Sequence, residues 1–179
     1  MSLIVVVGAT GAQGGSVINQ FKESLHWKVR GITRNVKGDK AIALSQQGIE
    51  MVAANIGDES SLVQAFKGAT AIFALTSFWE FIPELGRDGA GELELQQFIN
   101  MAKAASATPT LQHYVVSSLP SASKISQGKY PVPHFDYKAK GVEWMATHTP
   151  ELWAKTTELW AGAHTSNLAF YPISKFVPI

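Results

Sequence analysis

The feature that most constrains the fold lies near the amino terminus. The apolar run Leu3-Ile4-Val5-Val6-Val7 passes directly into Gly8-Ala9-Thr10-Gly11-Ala12-Gln13-Gly14-Gly15, and then into Val17, Ile18, Phe21 and Leu25 at helical spacing. A β-branched run without alternation has no polar face to offer water, so it predicts a strand covered on both sides in a parallel sheet. The spacing after it predicts an amphipathic helix through about residue 25. Between them the glycines stand at three-residue intervals. Gly8 permits a tight turn, Gly11 lets a pyrophosphate approach the backbone with no Cβ in the way, and Gly14 lets the helix pack closely on the strand. The free N–H groups and positive dipole end of the helix would face those phosphates. Glycine spacing alone also suits a turn chosen for packing; the flanking strand and helix select a dinucleotide loop at residues 8–15, with Gly8, Thr10, Gly11, Ala12, Gln13 and Gly14 as candidate contacts.

The rest of the chain repeats the alternation. Strands are expected at residues 27–33, 49–54, 71–75, 113–118 and 156–161, and helices at 41–47, 60–67, 92–105 and from Pro133, where Val142, Met145 and Ala146 supply an apolar side. Residues 77–91 read as a polar segment and 119–132 as a long loop without periodicity, a length that usually marks function or disorder. Strands alternating with helices predict an α/β fold: a doubly wound, Rossmann-type, mostly parallel sheet with helices on both faces. No repeat or linker divides the chain, so residues 1–179 are expected to form one nucleotide-binding domain.

Composition removes several function classes. Fifteen basic and 14 acidic residues, with neither sign gathered into a long run, do not suit nucleic acid or an anionic membrane. The absence of cysteine excludes disulfides, thiolate metal sites and a cysteine nucleophile. The apolar run at residues 3–7 is too short for a signal-peptide core or a membrane span, and a cytoplasmic location is the simple expectation. His26, His113, His148 and His164 have no metal-ligand spacing, and no Gly-x-Ser-x-Gly nucleophile elbow occurs, so no metal is expected.

The end of the second strand bears on the cofactor. A carboxylate there would bind the 2′-hydroxyl of NAD, but the sequence reads Thr33-Arg34-Asn35, with no acid until Asp39. Arg34 suits a 2′-phosphate, which favours NADP while leaving NAD open; it also reads as a solvated arginine, and Arg30 and Lys37 are weaker candidates. Ligands of open α/β sheets lie beyond the carboxyl ends of strands, which nominates Thr76, Ser117 and Ser118, one serine for a ligand and the other for a backbone cap. Phe78 and Trp79 suit either core or lid, and Trp153 and Trp160 the end of a pocket.

Four segments together resemble the NmrA-like branch of the atypical short-chain dehydrogenase/reductases: V-G-A-T-G-A-Q-G-G at 7–15, V-R-G-I-T-R-N at 29–35, I-F-A-L-T-S-F-W-E at 72–80 and V-P-H-F-D-Y-K at 132–138. The resemblance implies an NAD(P)-binding fold whose members range from redox-sensing regulators to oxidoreductases. It implies that Leu75-Thr76-Ser77-Phe78 lies near the cofactor and that Lys138 binds the nicotinamide ribose. Where the wider superfamily has Tyr-x-x-x-Lys this chain has His134-x-x-x-Lys138, so His134 and Lys138 become the catalytic candidates, both on one helical face. Tyr137 points elsewhere on that helix. Two functions follow from the resemblance, an NADP-dependent oxidoreductase of a small molecule and a cofactor sensor that signals to a protein partner. Family members are usually longer, with a C-terminal lobe that completes the substrate pocket. This sequence stops at Phe176-Val-Pro-Ile179, and most of that lobe, with much of the turnover, is expected to be missing.

Overall fold

The computed structural model describes residues 1–164; the chain end at Phe176–Ile179 lies outside the described residues. Six strands, β1 (Ser2–Val7), β2 (Trp27–Thr33), β3 (Glu50–Ala53), β4 (Ala71–Ala74), β5 (His113–Ser118) and β6 (Thr156–Trp160), form one sheet in the order β3-β2-β1-β4-β5-β6. All neighbours are parallel, with Val6 opposite Gly31 on one side and Phe73 on the other. This is a doubly wound sheet, and its carboxyl ends share one edge. The order reverses direction between β1 and β4, which opens a crevice there.

The non-alternating first run is explained by burial. Val5 and Val7 join a core with Leu62, Phe66, Phe98 and Met145, while Ile4 and Val6 join a second core with Ile18 and Phe73 on the opposite face. Val5 and Val6 are fully buried, and each such side chain stabilises the fold by about 1.5–3 kcal/mol. Helices α1 (Ala12–Phe21) and α2 (Asp39–Gln46) cover one face; α3 (Glu59–Phe66), α4 (Ile82–Ser106), α6 (Pro133–His148) and α7 (Pro150–Trp153) cover the other.

Several boundaries differ from the sequence reading. Helix α1 stops at Phe21, where Ser24 turns the chain by donating its amide to the Phe21 carbonyl; Leu25 is 84% exposed and never joins the apolar face. The segment read as polar already contains the first turns of α4, which begins at Ile82 with Pro83 in its first turn and is broken at Gly86 (φ 67°). Its small and charged residues hide a helix because Gly86 resets the direction before the buried stretch begins at Ala90. Likewise residues 119–132 hold a short helix, α5 (Ala122–Ile125), capped by Ser121, whose hydroxyl accepts from the Lys124 amide. Among the described residues no helix is long and apolar enough to cross a membrane.

Candidate functional site

At the end of β1 the chain turns at Gly8, which has a φ of 66°, and enters α1 through Gly11. Gly11 is the N-cap residue and offers no side-chain oxygen, so the first amides of α1 remain without the usual cap. A Cβ at Gly14 would overlap the Gly8 carbonyl, which fixes the close contact of helix and strand. At Gly11 the only near neighbour of a Cβ is that same carbonyl at 3.3 Å, so the approach from outside is open. These residues fit a pyrophosphate: bare amides, a helix of 10 residues with its positive end outward, and no side chain in the way.

Two adjoining cavities lie along this edge, with Thr76 and Ser77 lining both. The smaller, about 150 Å³, is bounded by Gly8, Thr10, Thr33, Arg34, Glu80 and Gln97. Arg34 stands there as expected, but its guanidinium is already paired with Glu80, 2.6 Å away, the arginine side chain being 60% and the glutamate 39% exposed. Arg30 is spent elsewhere: it donates to the carbonyls of Ala65 and Lys67 and pairs with Glu50. Lys37 does not line either cavity.

The larger cavity, about 590 Å³, is lined by Gln13, Thr76, Phe78, Ser117, His134 and Lys138 among others. Ser118 also faces it, and its hydroxyl is buried with no hydrogen-bond partner, so it does not cap backbone; the Gln13 Oε1 is in the same state. Buried polar atoms without partners are rare in folded proteins and here border a cavity. Trp153 and Trp160 are not part of the lining: Trp153 packs on the core and Trp160 is exposed, because the chain after β6 runs past the cavity through Ala161–His164 instead. Phe78 is core and its neighbour Trp79 is exposed at the rim.

His134 sits in an aromatic cluster, 4.7 Å from the Trp79 ring, 5.7 Å from Phe78 and 4.9 Å from Phe135, centroid to centroid. Burial lowers its pKa below the ordinary 6.5; the Glu94 charge opposes that, and Lys138 and Arg87 add to the lowering. At neutral pH it is an uncharged imidazole. Tyr137 turns away from the cavity and lies on Gly91, with Lys140 4.2 Å above its ring. Burial pushes its phenol upward, and the neighbouring Glu92 adds to this.

Lys138 has a partner that the motif did not reveal. Its Nζ donates to Thr76 Oγ1 at 2.7 Å and to Glu94 Oε1 at 2.5 Å, and the Thr76 hydroxyl donates to the same Glu94 oxygen at 2.7 Å. Glu94 is buried within α4, flanked by Ala90, Gln97, Phe98 and Met101. A signal was present: Ala90, Glu94, Gln97 and Met101 follow the three- and four-residue spacing of a buried helical face, so the acid occupies an apolar position. Glu80 carried no such signal, since its place depends on the turn after Phe78.

The NmrA-like family model matches residues 1–175. The NmrA-like family domain-containing oxidoreductase himF of Aspergillus japonicus is 36% identical over 140 residues, covering 78% of this chain and 41% of the relative. The crystal structure of Nmra, a negative transcriptional regulator, superposes with a TM-score of 0.74 at 24% identity over 93% of this chain and 47% of its own. An Escherichia coli NADPH-dependent quinone oxidoreductase complexed with NADPH gives a TM-score of 0.67 at 25% identity, over 93% of this chain and 51% of its own. The chain thus spans about two-fifths of the curated relative and about half of each solved neighbour. With its fold, its glycine loop and a match over residues 1–175, the chain belongs to the NmrA-like family.

Proposed function

We propose that this chain binds NADP(H) along the carboxyl edge of its sheet and serves as the cofactor-holding part of an oxidoreductase acting on a small molecule, with NAD as a weaker cofactor. One observation carries the reading: the loop that leads into the uncapped start of α1, through Gly8, Thr10 and Gln13, and a lysine ammonium at Lys138 border one pair of adjoining cavities at the point where the strand order reverses. The pyrophosphate would rest on the amides of Ala12, Gln13 and Gly14, with Gly8 and Thr10 beside it. The 2′-phosphate would meet Arg34, the nicotinamide end would meet Thr76 and Ser117, and Lys138 would hold the ribose. The cofactor, when bound, supplies a hydride. This chain's residues orient it and shield it from water.

The reading takes residues 1–179 as one nucleotide-binding domain and places the protein in the cytoplasm. The oxidoreductase name of its relative and the NADPH complex of a structural neighbour support the cofactor class.

Titration calorimetry with NADPH, NADP, NADH and NAD tests it. Phosphorylated cofactors are expected to bind about tenfold more tightly, the scale of one exposed charge-assisted contact that must displace Glu80. The preference should shrink with salt and vanish in Arg34→Ala. Equal affinities in the wild type, unchanged in that variant, would overturn it. A second reading, a cofactor sensor with a protein partner, is favoured by one observation: His134 is held uncharged near neutral pH and so is a poor proton donor. NADPH oxidation with ketones, aldehydes, quinones and activated alkenes separates the two. Turnover lost in Lys138→Ala supports the oxidoreductase; unequal affinity for oxidised and reduced cofactor without turnover supports the sensor.

A further inference from the structure

Burying a lysine beside a cavity needs a counter-charge, since an unpaired ammonium out of water is costly. The Lys138 side chain is 13% exposed, and the Glu94 side chain opposite it is fully buried. The two lie on different helices, and the contacts that bring those helices together are specific. Gly91, one turn before Glu94, receives the Tyr137 ring, which a Cβ there would overlap. Gly141, one turn after Lys138, receives the Phe98 ring, with Cγ only 2.5 Å from where a Cβ would stand. Each helix thus gives one glycine and one aromatic ring, and the acid and the lysine lie between the two contacts. The helices are held close on both sides of the ion pair.

An ammonium has three hydrogens. Glu94 Oε1 and Thr76 Oγ1 accept two of them, and Lys138 lines the larger cavity. We propose that Glu94 is a positioning residue for Lys138: with Thr76 it takes two of the ammonium hydrogens and leaves the third for the cavity, where a cofactor ribose hydroxyl would accept it. The inference rests on the proposed function for the identity of that acceptor, and on the geometry alone for the position of Lys138. Glu94 Oε2 is buried with no partner, so the carboxylate is only half satisfied and depends on Lys138 and Thr76 for its charge. A pair kept only for stability would not require the lysine to face a cavity.

The test uses the 179-residue chain as Glu94→Gln, Lys138→Met and the double variant. Amine acetylation at Lys138 is followed by peptide mass spectrometry and compared with Lys155, whose Nζ donates to the Leu111 carbonyl and gauges general loosening. NADPH affinity is measured on all four proteins. In Glu94→Gln the Lys138-to-Lys155 labelling ratio is expected to rise several-fold and NADPH to bind on the order of tenfold more weakly, while in the Lys138→Met background the same change adds nothing to the loss. An unchanged labelling ratio overturns the inference, as does an equal loss of affinity with and without Lys138. If Glu94→Gln does not fold, the double variant, which removes both charges, is expected to fold, and adding Glu94 back to it leaves NADPH affinity unchanged; a recovery there would overturn the inference. Failure of the wild type to bind any dinucleotide defeats the proposed function, and the labelling ratio still decides the position of Lys138.

Discussion

Two glycines at the start of α1, Gly11 at its N-cap and Gly14 in its first turn, should fail in different ways. A Cβ at Gly14 meets backbone, which cannot move without parting α1 from β1, so Gly14→Ala is expected to cost about 3 kcal/mol of stability. Gly11 has an extended backbone (φ −94°, ψ 177°) and one near neighbour, so Gly11→Val should fold but bind NADPH at least tenfold more weakly, its side chain standing where the pyrophosphate approaches. Urea denaturation and calorimetry on both variants check the pair; retained cofactor affinity in a folded Gly11→Val would move the pyrophosphate elsewhere. Tyr114 makes the opposite case. It is fully buried in the core, its hydroxyl has no partner, and burial alone drives its pKa far upward. Tyr114→Phe should therefore stabilise the fold by up to about 1 kcal/mol, read as a higher urea midpoint.

The segment between β5 and α6 is ordered by one carboxylate. Asp136 accepts from the Ser121 hydroxyl, the Ser123 amide and hydroxyl, and the Val132 amide, so both ends of the segment are tied to the first turns of α6. Burial would raise its carboxyl, but the hydrogen bonds from Ser123, Val132 and Ser121 together bring it below its usual 3.8. Asparagine cannot accept at both positions, and Asp136→Asn is expected to cost about 2 kcal/mol and to raise amide exchange between Leu119 and Val132. Unchanged exchange would show that the segment is held otherwise. None of this was legible in the residue pattern. Strands could be read because burial on two faces excludes polar residues, and Pro133 marked the start of α6. A carboxylate gathering four donors from residues up to 15 positions away leaves no periodic trace. The α4–α6 pairing was hidden for the same reason: Gly91 looked like the end of a polar segment, and only packing reveals it as a seat for a ring. The glycine loop was legible from its spacing between a strand and a helix and Lys138 from the family resemblance, whereas Glu80 comes to its cavity, and Glu94 to Lys138, through tertiary contacts alone.

For the whole molecule, three titrations push stability in the same direction on acidification, Asp58 joining Asp136 in the lower range because hydrogen bonds from Ser60 and Ser61 hold its carboxyl below the usual 3.8. His134 has a folded pKa below 6.5, so the unfolded chain takes up its proton first and stability falls as pH drops from about 6.5 toward the lower folded value. Asp136 has a folded pKa below 3.8; its contribution is complete well above that value and is lost as pH falls through the folded one. Unfolding midpoints measured from pH 8 to pH 3 should show two separate declines. His134→Gln should flatten the upper decline and leave the lower; an upper decline unchanged in that variant would assign it to another group.

The two ring-on-glycine contacts also make the buried pair something a sequence can announce. In this chain the pattern is Gly91-x-x-Glu94-x-x-x-Phe98 on one helix and Tyr137-Lys138-x-x-Gly141 on the other. Neither half means much alone, since glutamate and lysine are common and glycine in a helix is ordinarily a weakness. Together they specify a distance between two helix axes and the charges that fit it. A relative with the same lysine but bulky side chains at both glycine positions has its helices farther apart, and should hold that lysine through water or cofactor instead. Removing the matching acid there should change little.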